Sequence, residues 1–201
     1  MSWLLALHSS SEVLGVGVER LGTAGSRRSE AFPLGRALSN QLLGCVEQLL
    51  PAAQWPQVGR LIVATGPGGF TGTRLTLVLA RTLAQQLAIP LHGVSSFLLV
   101  AVRHGITEPT WVVQTLPRRG QVAGLYAPDP GAHAGVRELE LPRLFASGTA
   151  LPPGPQLPGQ ALIPADVDTL LAIGLEAERQ QLAGPWQPVL PLYPTSPVGA
   201  L

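Results

Sequence analysis

Lysine is missing from this chain: all 13 basic residues among its 201 are arginine. That excludes a Walker-type P-loop, a Schiff-base lysine and a kinase-type phosphate lysine together. Aspartate is nearly as scarce. The three are Asp129, Asp166 and Asp168, so a magnesium-nucleotide site in the first half would have no aspartate to hold the cation, and magnesium prefers carboxylates. Cys45 stands alone, which leaves no disulfide framework and no cysteine-based zinc site. The four histidines, His8, His92, His104 and His133, show no His-x-x-x-His or His-Glu-x-x-His spacing, so a helix-borne metal pair is absent. No metal and no cofactor is expected.

Charge is thin as well. Charged residues make up 12%, about half the usual share of roughly 25%, and the net charge is +1. No basic surface large enough to hold nucleic acid unaided is expected. Long apolar runs are lacking: the stretch from Thr82 to Val102 contains Gln85, Gln86, Pro90, His92, Ser95 and Ser96, which a membrane span would not tolerate. Met1 to Leu7 carries no early positive charge and the apolar run ends at His8, so no secretory leader is read there. A cytoplasmic protein is expected. What is abundant is Gly (23), Pro (20) and hydrophobic residues (46%), in a chain long enough to bury a real core as one large domain or two lobes.

Along the chain, Trp3–Leu7 and the run through Val13, Val16 and Val18 read as two strands joined by a polar turn of Ser9, Ser10, Ser11 and Glu12. Gly22 to Ser29 reads as a loop or a frayed edge strand. Leu34 to Leu50 reads as a helix, with Leu34, Leu38, Leu42, Cys45 and Leu49 three and four apart and Pro51 as its stop. The unbroken apolar run at Leu61–Ala64 suggests a strand buried on both faces. A second helix is read over 71–88, a short strand over Leu91–Val94, and a third helix capped by Ser95 or Ser96 and running to about Arg103. The second half predicts strands at 111–115, 121–126 and 136–139. It also predicts a Pro-rich irregular connector over 147–164, a helix from an Asp166 N-cap to about Leu182, and a last strand at Val189–Tyr193.

The informative segment is Gly66-Pro67-Gly68-Gly69-Phe70-Thr71-Gly72-Thr73-Arg74, between a buried strand and a long helix. Glycines there allow close backbone approach, and free helix amides favour an anion or an oxygen-rich partner. A tight strand-to-helix turn with no ligand accounts for the same glycines, and both readings stay open on this ground alone. His8 reads as a turn histidine more readily than as a base. Ser95-Ser96 lacks a nucleophile elbow and reads as a helix cap. Arg118-Arg119 reads as either a phosphate contact or a solvated hairpin tip.

This string, followed by a helix and then Ile89-Pro90-Leu91-His92-Gly93-Val94-Ser95-Ser96, resembles the TsaB (YeaZ) family, the bacterial partner subunit of the tRNA threonylcarbamoyladenosine machinery. Leu4-Leu5-Ala6-Leu7-His8-Ser9-Ser10 and Val16-Gly17-Val18 are similar to the family's opening, and Val189-Leu190-Pro191-Leu192-Tyr193 to its ending. The resemblance is strong over residues 3–103 and weaker over 110–126. It implies an α/β fold of the actin, sugar kinase and Hsp70 type. The two lobes, residues 1–104 and 105–201, each build on a mixed sheet with helices. It implies a non-catalytic subunit, without cofactor, that binds and supports TsaD, the subunit transferring threonylcarbamoyl to adenosine 37 of tRNA. A TsaE-like ATPase joins the complex, tRNA is met only through it, and self-association is possible without TsaD.

The site residues that follow are a glycine loop of Gly66, Gly68, Gly69, Thr71 and Gly72 and a pairing surface of Leu38, Leu42, Arg74, Leu79, Arg81 and Leu83. Arg74 and Arg81 stand seven apart on one side of their helix, able to meet acidic residues of a partner or Glu47 of this chain. Two departures stand out: His8 occupies the family's aspartate position in the first turn, and Gln114 falls where an Asp-Ala-Arg run is usual. An ATP-dependent phosphotransferase or ATPase of the same fold is the alternative function, and the dearth of aspartate weighs against it. A peptidase lacks both metal site and triad.

Overall fold

The computed structural model describes residues 2–132 and 134–195. Its first strand sets the layering. In β1 (Trp3–His8) successive side chains point to opposite faces, and every residue is buried. Leu5 and Leu7 enter one core, Leu4 and Ala6 another. β2 (Val13–Arg20) pairs antiparallel with β1, and β3 (Arg28–Pro33) pairs antiparallel with β2 at the edge. β4 (Val58–Ala64) and β5 (Leu91–Val94) extend the sheet in parallel on the other side, giving the order β3-β2-β1-β4-β5.

Helices cover both faces of this sheet. On one lie α1 (Leu38–Leu49) and α2 (Phe70–Leu87), which bury Leu42, Val46, Leu77 and Ala80 against Leu5, Leu7 and Val63. On the other lies α4 (Ala165–Arg179), whose Val167, Leu170 and Leu171 meet Leu4, Ala6 and Ile62. A Cβ at Gly17 in β2 would come within 2.5 Å of Val167 and 2.9 Å of Leu171, so the glycines that interrupt the valine pattern let α4 lie directly on the strand.

The chain passes to the second sheet through α3 (Ser96–His104), which contributes Leu99 to the α4-side core and Phe97, Val100 and Ala101 to the second sheet's core. That sheet comprises β6 (Thr110–Leu116), β7 (Gly120–Pro128), β8 (Val136–Ala146) and the short β9 (Gln156–Pro158), in the order β8-β7-β6-β9. The architecture is two mixed sheets flanked by helices. α4 and the segment after it return to pack on the first sheet.

Several sequence expectations are corrected. Residues 28–33 form the edge strand β3, which overlaps the stretch read as a loop or a frayed edge strand only at Arg28 and Ser29. Its exposed, polar composition is that of an edge strand, where burial leaves no apolar alternation to read. The first turn of the expected 34–50 helix is a 3-10 turn at Gly35–Ala37, and α1 starts at Leu38. β8 runs to Ala146, well past Leu139. Asp166 does not cap α4: Pro164 holds the N-cap position and Asp166 lies inside the first turn. Val189–Tyr193 is not a strand but an extended strap, tied by Leu192 N–H donating to the Thr65 carbonyl at 2.8 Å.

Candidate functional site

β4 ends at Ala64, and the glycine loop bridges it to α2. Gly69 N–H donates to the Ser10 carbonyl at 2.7 Å, and Ser96 N–H to the Gly66 carbonyl at 2.7 Å. A Cβ on Gly68 would fall far inside van der Waals contact with Ser10, and one on Gly72 would lie 2.6 Å from the Ser9 carbonyl oxygen. The serine hydroxyls close the same junction: Ser9 Oγ is 2.7 Å from Thr76 Oγ1, and Ser10 Oγ is 2.7 Å from Ser96 Oγ. The glycines are therefore used for close approach of this chain's own backbone. Thr71, exposed at the start of α2, opens instead onto a separate hollow of about 450 Å³ shared with Arg36 and Ser39.

Between the two sheets lies a cleft of about 590 Å³, walled by Ser10, Glu12 and Gly68 on one side and Gln114, Thr115 and Gln160 on the other. No arginine or histidine lines it, and Glu12 is its one carboxylate. Such a lining offers hydrogen bonds to a neutral polar group. It has no cation to neutralise phosphates and only one carboxylate for a metal, and magnesium-nucleotide sites need more. Among the described residues no group of three or more His, Cys, Asp or Glu side chains is placed to hold a metal ion.

His8, in the turn position of interest, is fully buried. Ser10 N–H approaches its Nδ1 at 3.4 Å, and its Nε2 finds no partner among the described residues. Burial pushes its pKa from 6.5 down to about 4, with Asp166 pulling the other way. The folded chain holds His8 neutral while the unfolded chain protonates it near 6.5. Stability carried by neutral His8 is thus present above that value and is lost as pH falls toward 4. Wild type is expected to lose about 3 kcal/mol more than His8→Gln between about pH 7 and pH 4 in urea unfolding. Parallel pH profiles for the two would rule this out.

Ser95 holds the N-cap position of α3, as expected, but its hydroxyl does not cap the helix. α3 has no side-chain cap bond. Ser95 Oγ instead meets the buried Tyr126 hydroxyl at 3.1 Å, and Tyr126 donates to Glu138 at 3.4 Å. Burial raises the Tyr126 phenol, and the Glu138 charge raises it further. This chain of hydroxyls ties the start of α3 to β7 and β8. Arg118 and Arg119 sit exposed at the β6–β7 hairpin tip, and Cys45 is a buried core residue.

The expected pairing residues separate into two sets. Leu38 and Leu42 are 7% and 6% exposed and belong to the core, which corrects their assignment to a surface: the α1 face carrying them rests on the sheet. Leu79 and Leu83 pack half-buried against the same core. The apolar side chains that these helices do expose are Leu43 (52%) and Val78 (63%). The helical period places both away from the buried stripe, a signal available in the sequence that the strength of the Leu38/Leu42 repeat obscured. Arg74 and Arg81 turn to aromatic rings, Arg74 over Phe70 at 4.9 Å and Arg81 over Trp186 at 5.2 Å, and neither forms an ion pair with Glu47.

The chain has a two-lobe α/β fold of two mixed sheets flanked by helices, and the proteins it is similar to belong to one group. The family model for TsaD, tRNA N6-adenosine threonylcarbamoyltransferase, matches residues 34–125. The chain is 43% identical over 74 residues to the tRNA threonylcarbamoyladenosine biosynthesis protein TsaB of Bacillus subtilis (strain 168). That stretch is 34% of this chain and spans 31% of the relative's length. The fold matches YeaZ from Pseudomonas aeruginosa with a TM-score of 0.71 at 22% identity, over 96% of this chain and 100% of that one. A second structure, of an uncharacterized protein with similarity to peptidase YeaZ from Pseudomonas aeruginosa, matches with a TM-score of 0.73 at 22% identity over 97% of this chain and 100% of that one. The chain thus resembles TsaB in sequence over a short stretch and has the YeaZ fold over nearly all of its length. No helix among the described residues is long and apolar enough to cross a membrane.

Proposed function

We propose that this chain is a TsaB-type partner subunit in tRNA N6-threonylcarbamoyladenosine synthesis. It binds and supports a TsaD-like subunit and has no catalytic activity of its own. Supporting this is the contrast between its two surfaces. The interlobe cleft is lined without a single cation, and the glycine loop beside it bonds to its own chain, whereas α1 and α2 expose Leu43 and Val78 on the side away from the sheet. The likeness to TsaB over 74 residues supports the pathway. In this reading a TsaE-like ATPase joins the complex, tRNA is reached only through it, the work is cytoplasmic, and the same helix face allows self-association when the TsaD-like subunit is absent. Against the phosphotransferase alternative, the cleft between the sheets offers no cation to neutralise a phosphate.

Size-exclusion chromatography with light scattering, on the chain mixed with the TsaD-like subunit of the same organism, tests the reading. A stoichiometric heteromer is expected. Two folded proteins that fail to associate would overturn it. Gly44, exposed on α1, gives a clean variant, because a Cβ there meets nothing within 4 Å. Gly44→Arg should keep or slightly raise thermal stability, since glycine disfavours helix interiors. It should weaken the complex at least about 30-fold by obstructing helix-on-helix approach. Unchanged affinity would remove α1 from the pairing surface.

A further inference from the structure

Beside α2, on the flank away from α1, the C-terminal strap encloses a groove of about 480 Å³. It is lined by the buried Leu77, by Arg74, Arg81 and the exposed Val78 of α2, and by Trp186 and Tyr193 of the strap. The two arginines are held rather than free. Arg74 lies over Phe70, whose ring stacks on Tyr193 at 4.9 Å. Arg81 lies over Trp186 and donates to the Val189 carbonyl at 3.2 Å. No Asp or Glu lines the groove. Among the described residues neither arginine has an acidic partner, although six other arginines do. In a chain with so few charges, two oriented and uncompensated cations flanking an exposed valine form a complementary half.

We propose that this groove receives an acidic amphipathic helix of the TsaD-like partner, a carboxylate on each arginine and an apolar side chain on Val78. The inference rests on the partner-subunit reading above and specifies the chemistry of the contact. Seven residues of α2 separate the arginines, about 10.5 Å along the axis and nearly the same azimuth. A helix lying along α2 meets them with acidic residues two turns apart and places an apolar residue one turn in, opposite Val78. Cation–π contacts fix the guanidinium groups before binding, which reduces the ordering cost that flexible arginines carry into an interface. Charge pairs of this kind raise the association rate and make the complex salt-sensitive.

The test uses the full chain and the TsaD-like subunit, with affinity measured by calorimetry at about 0.1 and about 0.5 M NaCl. Arg74→Gln/Arg81→Gln should weaken binding at least about 30-fold at low salt and flatten its salt dependence. Val78→Glu and Val78→Gln, nearly equal in size at a position 63% exposed, keep the test independent of the strap. The Glu variant should bind at least about tenfold more weakly than the Gln variant, because only it repels carboxylates. If wild type binds while the arginine pair changes affinity less than about threefold and the two Val78 variants bind equally, the groove proposal is overturned and the partner-subunit reading stands. If wild type does not bind, both fall. If the arginine variant instead converts a dimer of the free chain to monomer, the occupant is a second copy and the acidic-helix proposal is overturned.

Discussion

Asp166→Ala is expected to destabilise the chain by about 3–5 kcal/mol, which for a protein of this size is a drop of roughly 10 °C or more in Tm. The Asp166 carboxylate is wholly buried. Its Oδ1 accepts from Arg103 Nε at 2.8 Å and its Oδ2 from the Leu162 backbone N–H at 2.7 Å. Arg103 also donates to the Gln160 carbonyl at 2.9 Å. One carboxylate thus joins α3, the irregular connector and the start of α4, the three pieces that hold the second sheet to the first. Alanine leaves the Leu162 amide without its acceptor and a guanidinium that is 20% exposed without its counter-charge. An uncompensated buried charge is the costly part of breaking such a pair. Arg103→Met alone strands the carboxylate and should cost a similar amount. The double variant Asp166→Ala/Arg103→Met should cost clearly less than the sum of the two single variants. Urea unfolding measures all three. A loss under about 1 kcal/mol for Asp166→Ala would mean that the connector is held elsewhere.

The sequence marks Asp166 as a helix start, and it places the beginning of α4 to within two residues. What it did not disclose is that the carboxylate faces inward to Arg103, sixty-three positions earlier, instead of capping its own helix. The same limit recurs. β1, β4, α2 and the β6–β7 hairpin are legible because periodicity and turn residues are local properties. β3 is not, because an exposed edge strand has no apolar alternation to display. The strap at 189–193 has the β-rich look of a strand, yet one backbone bond to Thr65 and the stacking of Tyr193 on Phe70 hold it, and both depend on tertiary placement. The glycine string pointed to the right junction but left two accounts open. The partners of Gly68, Gly69 and Gly72, which are Ser9 or Ser10 in a turn about sixty residues away, are visible only once the sheet is assembled. For the pairing surface, the strongest leucine repeat marks the side of α1 that the core consumes, and the exposed Leu43 lies at the margin of that stripe.

Gly68→Ala decides between the two accounts of the glycine loop. It is expected to cost about 3 kcal/mol or more, at the upper end of overpacking effects, with no ligand present. The added methyl meets the Ser10 carbonyl and Ser10 Cβ. Neither can yield, since the carbonyl already accepts from Gly69 N–H and the Ser10 hydroxyl is paired with Ser96. Relief requires moving the β1–β2 turn or the start of α2, and each is anchored in the core on its other side. Gly69→Ala is the control. Its backbone is that of an ordinary residue (φ −57°), and its nearest neighbour to a new Cβ is the Ser10 carbonyl at 3.7 Å, an ordinary contact, so its stability should stay within about 0.5 kcal/mol of wild type. A loop whose glycines exist to let a phosphate approach would behave otherwise. Both alanine variants would then fold with near-wild-type stability, and the loss would appear only in ligand binding. Thermal unfolding of the two variants therefore distinguishes a junction packed against its own chain from a cradle kept open for an anion. A large penalty at position 68 with almost none at position 69 is the outcome this geometry demands.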